Sequence, residues 1–181
     1  KLVERFSPAE ARTPERLAAT LAEFSARYDA HKEDKTAPYP GILPMLHALK
    51  AAGLRLGVVS NKENTLSQEV TAHYFPGIFD AVAGHVLGTP AKPDPALVNS
   101  LIAQFGVRAG QVLYAGDSNV DIQTAHNAHV DGCGVLWGFR TEEELRAAGA
   151  DYLVHTPQQL ADLALGQAGP LRLSDAQGVV E

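Results

Sequence analysis

Along most of its length this chain alternates between segments with helical spacing and short apolar runs, and that alternation constrains the fold more than any other feature. ILPMLHALKAAG, residues 42–53, reads as a short helix closed by glycine, and LRLGVVS, residues 54–60, as a continuous apolar strand of the kind buried on both faces. The theme repeats, with helices near 65–73, 95–105, 120–128, 142–148 and 157–165, and strands near 81–83, 112–115, 134–136 and 152–154. Strands and helices in strict turn predict an α/β fold, a doubly wound parallel sheet with helices on both faces.

Ahead of this run, residues 7–33 carry Leu17, Leu21, Phe24 and Tyr28 at helical spacing, with Thr13-Pro14 suited to the N-cap and first position of a helix. TAPYPG, residues 36–41, reads as a linker. The last residues, GPLRLSDAQGVVE, show no period. The expected division is therefore 1–36, 37–168 and a C-terminal tail, 169–181. The 181 residues, 45% of them hydrophobic, suffice for one ordinary globular core with a small appendage. A net charge of −6, with basic residues scattered rather than clustered, argues against nucleic acid as a partner. No stretch approaches the ~18 uninterrupted apolar residues of a bilayer span, and the opening residues lack the apolar core of a signal peptide. No membrane partner and a cytoplasmic location are expected. The lone Cys133 forms neither an intrachain disulfide nor a zinc site, which suits a reducing compartment. The chain starts on a lysine and its one methionine, Met45, falls inside a helical pattern, so a fragment of a longer polypeptide is expected.

In an open parallel sheet, ligands bind outside the carboxyl ends of the strands. Three polar groups lie there: Ser60-Asn61-Lys62 after 54–59, Lys92 between Ala91 and Pro93, and GDSNVD, residues 116–121, after 112–115. Ser60 and Asn61 also suit helix capping, and one aspartate alone would suit an N-cap. Two carboxylates within one helical turn, Asp117 and Asp121, repel each other and are better tolerated beside a cation. Oxygen-only donors favour Mg²⁺ over zinc. A metal, a lysine and a hydroxyl together make an anion site, which points to phosphoryl transfer on a small phosphorylated metabolite.

VVSNK, AKPDP and GDSNVDI, in this order and at these spacings, resemble the second, third and fourth motifs of the haloacid dehalogenase-like phosphatases. The whole of 38–165, including PYPG, AAGLRLGVVSNK and CGVLWG, is similar to their phosphoglycolate phosphatase branch. The resemblance implies a Rossmann-like core and a Mg²⁺-dependent phosphatase acting through an aspartyl-phosphate. It implies that Ser60, helped by Asn61, hydrogen-bonds the phosphoryl oxygens, that Lys92 neutralises phosphate and nucleophile, and that Asp117 binds Mg²⁺. Asp121 would bind the metal directly or through water, or hold Lys92 in place, with Ser118 and Asn119 at the rim. Residues 1–36 resemble the rear half of a helical cap, from which Arg27, His31 and Lys32 would reach a substrate carboxylate.

One motif is missing. The family's nucleophile belongs to an Asp-x-Asp pair on the central strand, and no Asp-x-Asp occurs in this sequence. It is expected upstream of Lys1, which leaves a gap between the strands ending at Ser60 and Gly116 and makes the chain as written inactive. The alternative is a catalytically inactive phosphate- or metal-binding module of the same fold. A signalling receiver is disfavoured by order, because Lys92 precedes the acidic pair. Monomer and homodimer both stay open.

Overall fold

The computed structural model describes residues 7–31, 34, 36–167 and 172–173. Two compact units divide the chain, Lys1–Ala37 and Pro38–Glu181. In the first, helix α1 (Pro14–His31) starts where the sequence marks it: Thr13 Oγ1 accepts from Arg16 N, and Pro14 occupies the first position, where an N–H would have no helical partner. A single 3₁₀ turn, Ala9–Ala11, precedes it, so the helix begins later than residue 7.

The second unit runs α2 (Ile42–Ala51), β1 (Gly57–Glu63), α3 (Asn64–Tyr74), β2 (Ala81–His85), α4 (Ala96–Phe105), β3 (Leu113–Gly116), α5 (Asn119–Asn127), β4 (Asp131–Val135), α6 (Glu142–Ala147), β5 (Tyr152–Val154) and α7 (Pro157–Ala164). Every strand pair is parallel. The strands form two sheets, one of β1 and β2, the other ordered β3-β4-β5. No helix among the described residues is long and apolar enough to cross a membrane.

β1 departs from expectation in two ways. It begins at Gly57 rather than 54, because Leu54 and Leu56 pack on the core beneath α2 while Leu56 N is taken by the Asp80 carboxylate at 2.8 Å. Nor is it buried on both faces: no residue of β1 or β3 is fully buried, whereas Gly132 to Val135 of β4 all are. β4 alone has a paired strand on each side. Apolar composition does not create burial without neighbours.

β4 explains how the layers stack. Cys133 and Val135 face Met45, Leu46 and Leu49 of α2 and Leu160 and Ala161 of α7. On the opposite side are glycines. A Cβ on Gly134 would lie 2.6 Å from Leu153 Cδ2 and 3.0 Å from Leu145 Cδ1, so the bare backbone lets α6 approach closely. A further cluster joins Val98 of α4 to Ala125, Ala128 and Val130. Arg172 and Leu173, expected in a structureless tail, dock at the start of this sheet: Leu173 N donates to Asp151 O at 2.8 Å.

Candidate active site

The regular ladder of β1 on β2 holds from Gly57 to Val59 and then breaks before Glu63, so Ser60, Asn61 and Lys62 leave the pleat at the strand's carboxyl end. None of them caps α3. That role belongs to Glu63, whose carboxylate accepts from Leu66 N and is held below its ordinary pKa by backbone N–H groups, Leu66 first. Asn61 makes a reciprocal pair with the backbone of Lys92: its Oδ1 accepts from Lys92 N at 2.7 Å and its Nδ2 donates to Lys92 O at 3.2 Å. Asn127 Nδ2 donates to Pro93 O at 2.8 Å and fixes the loop from its other side; Lys92-Pro93 is a cis peptide. Asn61 is therefore spent on positioning Lys92. The sequence offered no signal for Asn127, which acts across 34 residues.

The Lys92 side chain runs inward. Its Nζ donates to Asp121 Oδ1 at 2.7 Å, with the side chains only 14% and 9% exposed, and lies 3.4 Å from Val59 O. Asp121 is fully committed. Its Oδ2 accepts from Ser118 N (3.1 Å) and Ser118 Oγ (2.6 Å), closing a capping box at the start of α5. Of the roles left open by the sequence, holding Lys92 is the one its contacts carry. Gly116 gives it room, since a Cβ there would fall 2.2 Å from Asp121 Cβ. Tyr114 of β3 lies against it as well: burial first, then the Asp121 charge, push that phenol well above its ordinary range.

Asp117, four residues before, is half-buried and differently placed. Its Oδ2 accepts from Phe139 N at 2.9 Å, while Oδ1 has no hydrogen-bond partner among the described residues. Ser60 Oγ accepts from Lys62 N at 3.0 Å, which leaves its O–H free to donate. Ser118 is absorbed by its cap, and Asn119 is the exposed first residue of α5. Arg27 and His31 lie exposed on α1 of the first unit, His31 Nδ1 paired with Asp34 at 2.8 Å; Lys32 falls outside the described residues. The thiol of Cys133 is buried and pushed up to about 12 by that burial, too protonated to act as a nucleophile.

The donor chemistry fits a hard divalent cation at Asp117: one carboxylate, anchored through one oxygen and open at the other, in an oxygen-only setting. No group of three His, Cys, Asp or Glu able to hold a metal occurs among the described residues. Such a cation would complete its shell with water or substrate oxygens, as Mg²⁺ commonly does.

The family model for haloacid dehalogenase-like hydrolases matches residues 4–135. The chain belongs to the haloacid dehalogenase-like hydrolases. It is 36% identical over 143 residues to a phosphoglycolate phosphatase from Caulobacter vibrioides, covering 78% of this chain and 60% of the relative. It is 32% identical over 147 residues to an N-acetylmuramic acid 6-phosphate phosphatase from Pseudomonas aeruginosa, covering 78% of this chain and 63% of that protein. A crystal structure of a proposed phosphoglycolate phosphatase from Lactobacillus delbrueckii superposes with a TM-score of 0.82 at 37% identity, over 89% of this chain and 67% of the other. The chain thus spans about three fifths of the length of those curated relatives.

Proposed function

We propose that this chain is the main part of a Mg²⁺-dependent phosphatase that hydrolyses small phosphate monoesters in the cytoplasm, with phosphoglycolate the first substrate to test. The observation that carries the reading is the Lys92 ammonium, nearly buried and fixed at both ends, beside Ser60 at the carboxyl edge of the strands. A cation unable to move and poorly screened by water neutralises a phosphoryl group at little reorganisation cost. Ser60 donates its O–H to a phosphoryl oxygen. Asp117 would hold Mg²⁺, which when bound would supply positive charge to the phosphoryl oxygens. Asp121 and Asn61 keep Lys92 in place. The nucleophile is an aspartate, with a second carboxylate two residues on as acid/base, carried by polypeptide ahead of Lys1; an aspartyl-phosphate forms there.

The test is phosphate release from phosphoglycolate and N-acetylmuramic acid 6-phosphate by the protein bearing its natural upstream sequence, with Mg²⁺ or with a chelator. Release requires Mg²⁺, and Lys92→Ala lowers kcat by about 10²–10³-fold, as loss of a preorganised oxyanion donor does. Equal release in chelator, or from Lys92→Ala, would overturn the reading.

A further inference from the structure

We infer that Gly138 is a positioning residue: with the backbone amide of Phe139 it forms a saddle that sets the Asp117 carboxylate for its cation. The inference rests on the proposed meeting of Asp117 with a divalent metal. After β4 the chain passes so close over Asp117 that a Cβ on Gly138 would lie 2.2 Å from Asp117 Cβ and 2.3 Å from Oδ2. No side chain fits there while Asp117 keeps its place. One residue later, Phe139 N donates to Asp117 Oδ2 at 2.9 Å, and the Phe139 ring is 87% exposed, so the backbone rather than the ring makes the contact. One oxygen is thereby pinned and the other is left open. A carboxylate held at one oxygen presents the second in a fixed direction, which is what a ligand to a cation with strict octahedral demands needs.

The two carboxylates follow one plan. Each sits over a glycine, Asp121 over Gly116 and Asp117 over Gly138, yet Asp121 spends both oxygens on protein donors and Asp117 spends one.

The experiment titrates Mn²⁺ into the purified protein bearing its natural upstream sequence and reads the free ion by electron paramagnetic resonance. Four proteins are compared: wild type, Asp117→Asn, Gly138→Ala, and a chain with phenyllactic acid at position 139, whose ester lacks the N–H and adds no bulk. Gly138→Ala weakens Mn²⁺ binding by about 10–100-fold, and the ester by about tenfold, the range for partners that orient a ligand. In the Asp117→Asn background neither change has further effect. Should Gly138→Ala not fold, the ester chain carries the test. A merely structural Gly138 would lower the melting temperature and leave the Mn²⁺ Kd alone. The inference is overturned if Gly138→Ala and the ester chain bind within twofold of wild type while Asp117→Asn does not. Wild-type affinity in Asp117→Asn would instead overturn the metal reading itself.

Discussion

At the carboxyl ends of the strands Lys92 meets Asp121; at the amino ends Arg172 bridges Asp131 and Asp151, its guanidinium 5.8 Å from the centre of the Tyr152 ring. Both cations tie distant parts of the chain together. The first pair is nearly buried, whereas Arg172 and Asp131 are 40% and 43% exposed. Water screens the second and lets it act as a fastener of small worth. Burial keeps the first unscreened, costly to form and severe to break, and that is the condition under which a fixed charge acts strongly on a ligand. Ion pairs of like composition thus serve unlike ends, and burial decides which.

Breaking the buried pair from one side gives the largest effect. Asp121→Ala leaves an ammonium inside with only the Val59 carbonyl and no counter-charge, and costs about 3–5 kcal/mol of stability in urea unfolding. The double variant Asp121→Ala/Lys92→Met recovers much of it. Crowding the pair without removing it comes next: Gly116→Ala drives a methyl into Asp121 and costs about 1–3 kcal/mol, the usual range for overpacking. Asp80 stands between the two ends in exposure, at 18%. The Lys50 hydrogen bond first, then Leu56 N–H and the nearby charges, hold its carboxyl below the ordinary 3.8 against the opposing pull of burial. Because the folded value is depressed, its contribution is full above about pH 5 and fades as pH falls through the folded value. The stability gap to Asp80→Asn, measured by thermal unfolding against pH, therefore narrows below pH 4 and is constant near neutrality. Arg172→Ala is the smallest, at about 0–1 kcal/mol, and 1 M salt abolishes the difference. A loss as large as that of Asp121→Ala would erase the contrast.

Helix starts were the most legible part of the molecule, because their signals are local. Thr13-Pro14 marked the first helix, and the starts expected at 142 and 157 fall at Glu142 and Pro157, behind the Thr141 and Thr156 caps; Ser118, expected at a metal rim, caps α5 instead. The apolar run of β1 suggested burial on both faces, but the gap expected between β1 and β3 is what governs: within these residues each has a paired strand on one side only, and neither holds a buried residue. In the candidate site, Ser60, Lys92, Asp117 and Asp121 stood out as polar groups at strand ends. Their division of labour did not. Whether Asp121 meets a metal or holds Lys92 depends on where an ammonium 29 residues away comes to rest, and Gly138 shows in the sequence only as the last residue of CGVLWG, with nothing to say that it lies against Asp117.

Lys92 has its backbone gripped by Asn61 of β1 and its side chain by Asp121 of α5, behind β3. It therefore spans two sheets that share no ladder. The arrangement around Lys92 is complete only while both grips hold, so local opening at either the end of β1 or the start of α5 undoes it. A phosphate bound beside Lys92, as proposed, would draw on both grips at once, and its occupancy would raise the free energy of opening at either end.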